Sequence, residues 1–204
     1  TNNHVVRGVN SVEIQLSDGR RGPASIVGRD PMLALTVLKT GLENLVAAEW
    51  GDSDQLAVGA DHGPSFPMKE ALKPYLEELD YTPLDCGTYS PDSVDYPDIA
   101  YAVARQVAAG KAWRGIIIDG AGIGSCIAAN KVPGIRAALC YNQAMAHNSR
   151  EHNNANVLTL GAGMVGLNLA KQIIATWLAT DFAGGRHQRR VDKIMEIEQR
   201  FLKR

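Results

Sequence analysis

GIIIDGAGIGSCIAANK, residues 115–131, is the stretch that decides the fold. Ile116 to Ile118 is an unbroken β-branched run of the kind that forms a parallel strand buried on both faces, and it stops at Asp119-Gly120. A strand therefore ends on a carboxylate. Glycine then takes every second position, Gly120, Gly122 and Gly124, ahead of a helix-compatible run from Ser125 to Lys131. Strand, glycine-rich turn and helix start together aim backbone N–H groups and the positive end of a helix at an anion. The spacing GxGxG is not the dinucleotide fingerprint GxGxxG, and no lysine-hydroxyl pair follows at P-loop spacing, so a bound nucleotide is not expected. A plain tight turn from strand to helix has the same local sequence.

Outward from this unit, strand and helix patterns alternate from Leu56 onward. The pattern predicts strands over 56–60, 82–86, 115–118, 136–140 and 157–160. It predicts helices over 68–79, 98–109, from 125, 143–150, 166–180 and 190–202. The fold class is thus α/β, a doubly wound five-stranded parallel sheet with helices on both faces, whose ligands bind at the carboxyl ends of the strands.

The first fifty residues read differently. Val12 to Leu16 alternates, Ser17-Asp18-Gly19 turns, and Ala24 to Val27 returns, which predicts a short hairpin. Asp30-Pro31 reads as an N-cap and first helical residue, and Leu35, Leu38, Leu42 and Leu45 fall at helical spacing as far as about Ala48. Gly51 to Gln55 is a polar linker. The expected division is an extension of hairpin, amphipathic helix and linker over 1–53 and the main α/β domain over 54–204. The leucine stripe of the 30–49 helix buries against its own chain or dimer; the alternative is docking on a separate protein, such as a microcompartment shell or scaffold.

Composition narrows the class. A chain of 204 residues supports one sizeable core with a small appendage. A net charge of -1 and a pI of about 6.5 argue against a nucleic-acid binder. No apolar run approaches the roughly 20 residues of a membrane span, and no charged-then-apolar leader opens the sequence, so a cytoplasmic protein is expected. Cys86, Cys126 and Cys140 are odd in number and lack metal-ligand spacing, which predicts reduced thiols with neither disulfides nor zinc. Cys126 is close enough to the turn to be a nucleophile or base, or else a small buried helix residue.

Chemistry-bearing residues collect at the ends of strands. Asp61-His62 follows the first of the five, Asp119 ends the third, and His152-Asn153-Asn154 precedes the last. Each alone serves as a cap, loop or turn residue; placed jointly around one sheet, they point to a site. Arg186 and Arg190, four apart on a starting helix, present planar forks that suit a phosphate, or a solvated basic surface.

From about Gln55 onward the chain resembles ribose-5-phosphate isomerase B and the related subunits of galactose-6-phosphate isomerase. The motifs are GADHGP at 59–64, DYP at 95–97, GAGIGSCIAANK at 120–131, PGIRAAL at 133–139, SREHNNANV at 149–157 and GGRHQRRV at 184–191. The resemblance implies a Rossmann-like sheet, a homodimer or dimer of dimers with shared active sites, and an aldose–ketose isomerase of sugar phosphates that needs no metal or other cofactor. It further implies that Asp61, His62 and Tyr96 line the pocket, that His62, Arg186 and Arg190 gather the phosphate, and that His152 with Asn153 opens the sugar ring. The reaction needs a base to move a proton between adjacent carbons and donors for the enediolate oxygens, a task suited to the N–H groups of Gly120, Gly122 and Gly124.

Two departures from the family bear on mechanism and substrate. Where many relatives carry a cysteine base this chain has Asp119, and where others place a glutamate it has Ser125. Asp119 is therefore expected to be the base with Ser125 as a hydrogen-bonding helper. The turn threonine implicated in ring opening is Ala121 here, and an arginine common after the last strand is Gly163. Ribose 5-phosphate is the expected substrate, with a tetrose 4-phosphate, which cannot close a furanose ring, as the alternative. A non-catalytic sugar-phosphate-binding paralogue is the reading from another class.

Overall fold

Ser11–Gln15 (β1) runs antiparallel to Arg21–Asp30 (β2), with Val12 opposite Ala24 and Ile14 opposite Gly22, so the expected hairpin forms, its first arm one residue earlier and its second arm longer at both ends. The computed structural model describes residues 6, 8–16, 18–30, 35–45 and 54–202, in two compact units, Thr1–Glu49 and Trp50–Arg204.

The helix expected over 30–49 is not found among the described residues of that span. Leu35–Thr40 (β3) is instead a third antiparallel strand on the free edge of β2, with a bulge between Ile26 and Gly28. Leucines three and four apart satisfy the helical template in sequence. However, Thr36, Val37 and Thr40 are β-branched, and burial alternates from buried Thr36 to exposed Val37 to half-buried Leu38 to exposed Lys39. The open edge of β2 supplies backbone partners that a lone helix would lack. Residues 31–34 and 46–49 of that expected helix, and 51–53 of the linker, lie outside the described residues. The docking of this segment on a shell or scaffold rested on an amphipathic helix, and a strand occupies its centre.

The larger unit alternates strand and helix: Gln55–Ala60 (β4), Ser65–Glu78 (α1), Thr82–Asp85 (β5), Tyr96–Ala108 (α2), Arg114–Asp119 (β6), Ile123–Ala129 (α3), Ala137–Leu139 (β7), Gln143–Glu151 (α4), Val157–Gly161 (β8), Leu167–Ala179 (α5) and Arg186–Leu202 (α6). The five strands are parallel in the order β5-β4-β6-β8-β7. Leu56, Val58, Ile116, Ile118, Leu158 and Leu160 face α1 and α5, burying Leu72, Leu76, Ile173, Ile174 and Trp177. Ala57, Ile117 and Val157 face the opposite way, onto Ala100, Val103 and Ala104 of α2 and Ala129 of α3. Apolar strands buried on both faces are the reason the sequence shows continuous rather than alternating hydrophobic runs.

After β4 the chain steps outward to β5, then crosses back to β6 on the other side of β4. The order thus reverses between β4 and β6, and the crevice beyond their carboxyl ends is where such sheets bind ligands. The Asp61 N–H donates to the Ile118 carbonyl at 3.0 Å, carrying the β4–β6 pairing one residue past the strand. No helix among the described residues is long and apolar enough to cross a membrane, and no three of their His, Cys, Asp or Glu side chains converge as a metal site.

Candidate active site

Two carboxylates occupy the switch point. Asp119 ends β6 and is 4% exposed. Its Oδ1 accepts the N–H of Ala121 at 2.9 Å and that of Gly122, while Oδ2 accepts the N–H of Ser125 at 2.9 Å. The carboxylate thus folds the glycine-rich turn around itself. Gly122 sits at φ +75°, which favours glycine, and a Cβ there would also collide with Leu139. Among the described residues the N–H groups of Gly120 and Gly124 donate to no oxygen of Asp119, so of the three expected glycine donors only Gly122 is spent on that carboxylate.

The turn is braced from outside. Ala162 and Gly163 donate their N–H groups to the carbonyls of Asp119 and Gly120 at 2.8 and 2.9 Å. The Tyr141 hydroxyl donates to the Ala121 carbonyl at 2.7 Å, and that of Thr159 to the Gly122 carbonyl at 2.9 Å. Tyr96, first residue of α2, lays its ring against Gly124, where a Cβ would stand 2.6 Å from ring atoms. The DYP motif therefore reaches the turn through that missing side chain.

Asp61 is nine-tenths buried and its Oδ1 has no hydrogen-bond partner; the buried hydroxyls of Ser65 and Ser125 likewise have none. Burial pushes the Asp61 carboxyl above the usual range and neighbouring Asp119 adds to this, with Ser65 and His62 acting in the opposite sense. His62 is exposed, its Nδ1 3.1 Å from the Val94 carbonyl. Cys126 points its Sγ at the Ala137 carbonyl at 3.4 Å, and burial pushes its thiol up, so it is a poor nucleophile.

The remaining expected residues form a second cluster. His152 caps the C-terminus of α4; its Nδ1 lies 2.8 Å from Asn148 Nδ2 and its Nε2 3.0 Å from Glu151 Oε2. With Nδ1 accepting from the amide, the hydrogen-bond network assigns the proton to Nε2, facing the carboxylate. His152 stacks on His187, and Arg186 Nε lies 3.4 Å from His187 Nε2. Asn153 donates to the Asn148 carbonyl at 3.3 Å. Arg186 and Arg190 are exposed, without an ion pair among the described residues.

These clusters lie at opposite ends of the sheet. Asp119 pairs with Gly161 at the end of β8, whereas His152 and Asn153 precede its first residue, Val157. At about 3.3 Å per residue, the length of a strand separates them. Sequence reasoning missed Glu151 and His187, which orient His152. Glu151 adjoins a named motif residue, but His187, one residue after Arg186, gives no spacing signal.

The family model described as Ribose/Galactose Isomerase matches residues 56–194. The chain belongs to the ribose/galactose isomerase family. It is 46% identical to ribose-5-phosphate isomerase B of Escherichia coli over 146 residues, covering 72% of this chain and 97% of that protein. It is 43% identical to a D-erythrulose-4-phosphate isomerase of Pectobacterium atrosepticum over 68% of this chain and 91% of the other. The solved ribose-5-phosphate isomerase B of Clostridium thermocellum superposes with a TM-score of 0.70 at 50% identity, over 72% of this chain and 99% of that one. The ribose/galactose isomerase family accounts for the five-stranded sheet, and the chain is a sugar-phosphate aldose–ketose isomerase, as the motifs imply. A model described as Trypsin-like peptidase domain matches residues 1–67, overlapping the isomerase match over 56–67. That shorter match takes in the antiparallel strands β1 to β3, which carry no isomerase motif.

Proposed function

We propose that the chain interconverts ribose 5-phosphate and ribulose 5-phosphate at a site made by two copies of itself. The observation that carries this reading is the separation of the two clusters: one copy holds Asp61, Asp119, Ser125 and Tyr96 at the carboxyl end of the sheet, and the other brings His152, Asn153, Arg186 and Arg190 from the opposite end. Helix α6 supports it, since it buries only His187 and Val191 on its own chain and leaves Ile194, Ile197 and Phe201 exposed. An apolar stripe of that kind is what a symmetric partner covers.

Asp119 is the base. Its Oδ2 accepts one N–H only, which leaves a lone pair for the C2 proton. The N–H groups of Gly120 and Gly124 and the unpartnered Ser125 hydroxyl hold the enediolate oxygens. His152, proton on Nε2, opens the furanose with Asn153. Arg186, Arg190 and His62 gather the phosphate. The three free thiols support a reducing, cytoplasmic setting.

A tetrose 4-phosphate is the second reading, favoured by the turn itself. Ala121 brings no hydroxyl to the pocket and Gly163 no guanidinium, although the Gly163 backbone lies directly on the turn. A sugar whose O4 carries the phosphate needs no ring-opening contacts. The test is NMR of purified chain with ribose 5-phosphate in D2O. Deuterium at C2, absent with Asp119→Asn, is the expected result. Turnover of erythrose or erythrulose 4-phosphate alone would move the assignment to the shorter sugar, and no exchange with either would leave a non-catalytic binder.

A further inference from the structure

Strands β4 and β6 deliver two carboxyl groups side by side into unlike surroundings. Every oxygen of Asp119 accepts a backbone N–H, so the turn around it is built for the anion. Asp61 is held by its own backbone, through its N–H to Ile118, while its side chain is nine-tenths buried with Oδ1 unpartnered. A buried anionic oxygen without a donor is costly, and a second anion beside Asp119 costs more. A neutral carboxyl avoids both costs. The direction agrees with this: burial first, with Asp119 adding to it, raises the Asp61 carboxyl and outweighs the opposing pull of the Ser65 hydroxyl and of His62.

An aldose–ketose isomerisation moves two protons, one between carbons and one between oxygens. Asp119 serves the carbons. The Ser125 hydroxyl and the glycine N–H groups can hold these oxygens, but neither is an acid that carries a proton between them; Ala121 has no hydroxyl, the Cys126 thiol is turned to the Ala137 carbonyl, and the His62 ring is held against Val94.

We infer that Asp61 is a second catalytic residue, a neutral carboxyl that carries the proton between the two substrate oxygens. The inference rests on the isomerase reading above. As Asp119 takes the C2 proton, the C2 electron pair forms the C1–C2 double bond, the C1 carbonyl pair moves onto O1, and Asp61 gives O1 its proton. The product of this step is the enediol, flanked by a protonated Asp119 and an anionic Asp61. Asp61 then takes the O2 proton as the C2 carbonyl forms, and Asp119 returns its proton to C1. Both carboxyl groups end as they began.

The test compares two rates in D2O on the full-length chain, with whichever phosphate the wild type turns over: deuterium entry at C2 of recovered aldose, and ketose formation. Asp61→Asn is expected to slow ketose formation by about 100-fold or more, the usual worth of a general acid. Deuterium entry should fall much less, so the ratio of exchange to isomerisation rises at least about tenfold. Asp61→Ala, which removes the amide as well, should shift the ratio the same way, and Asp119→Asn should lose both rates. Equal loss of both rates in the Asp61 variants would mark a structural role and overturn the assignment, as would unimpaired ketose formation. A wild type that neither exchanges nor isomerises any sugar phosphate would overturn the isomerase reading and this assignment with it, an outcome distinct from an active wild type whose ratio the Asp61 variants leave unmoved.

Discussion

The ring of His152 lies flat on the ring of His187, centroids 4.1 Å apart and planes 4° apart. The stack joins the end of α4 to the start of α6, and so places the ring-opening candidate beside Arg186 and Arg190. Stacked imidazoles tolerate one charge better than two, and guanidiniums make the second worse.

Acid should loosen this joint. Burial first, then His152, Arg186 and Arg190, push His187 below the usual imidazole range, with Glu151 opposing. In the window between the folded and unfolded values the unfolded chain binds more protons, so stability rises with pH there. The contribution is present above the ordinary imidazole value and is lost as pH falls through the depressed one. Melting temperature measured from pH 7.5 down to 5 should therefore decline, and His187→Gln should flatten that decline. An identical slope in the variant would show that the stack does not titrate within the window.

Lys69 anchors the loop that faces the site. Its ammonium is fully buried, 2.6 Å from Asp85 Oδ1 and 2.6 Å from the Thr88 carbonyl, and the Thr88 N–H in turn donates to Ala60 at 2.8 Å. Burial alone would raise Asp85; hydrogen bonds from Lys69 and Lys73 overcome it and hold the carboxyl below its usual range. Lys69→Met leaves Asp85 with Lys73 and the Gly87 N–H, and the Thr88 carbonyl without the ammonium. The expected loss is about 3 kcal/mol in urea unfolding, that of breaking a buried pair from one side.

Much of this was legible in the sequence, and its physical basis explains what was not. Ile116 to Ile118 announce a buried parallel strand because no polar position interrupts them, and Gly122 and Gly124 announce the turn because a side chain does not fit there. Leu35 to Leu45 misled because leucines three and four apart match a helix, while the edge of β2 that captures residues 35–40 is a tertiary fact. The partition of site residues between the two ends of the sheet follows from order alone once the strands are parallel, since Asp119 comes after its strand and His152 before its own. The deeper burial of Asp61 relative to His62, adjacent in the chain, also comes only from packing.

The glycine turn should tolerate no side chain at its centre. Gly122→Ala places a Cβ against Leu139 and 2.9 Å from the backbone carbon of Leu160, in a left-handed conformation. Strain and overpacking each cost about 1–3 kcal/mol. The variant should melt well below wild type, and a melting curve superimposable on wild type would show that the turn can relax without cost.

If His152 and Asp119 meet only across a dimer, two dead variants should revive each other. Asp119→Asn removes the base from one end of the sheet and His152→Ala the ring-opening group from the other, so a homodimer of either has two broken sites. A mixed dimer has one site with both lesions and one with neither. Co-refolded at equal amounts, half of the dimers are mixed, and about a quarter of wild-type activity toward ribose 5-phosphate should return. Recovery should disappear when Ile197→Asp is added to both chains, because a charge on the exposed stripe of α6 prevents its burial against the partner. Were both lesions in one site of one chain, mixing would restore nothing at any ratio, so the assay separates the shared site from a self-contained one without a structure of the dimer.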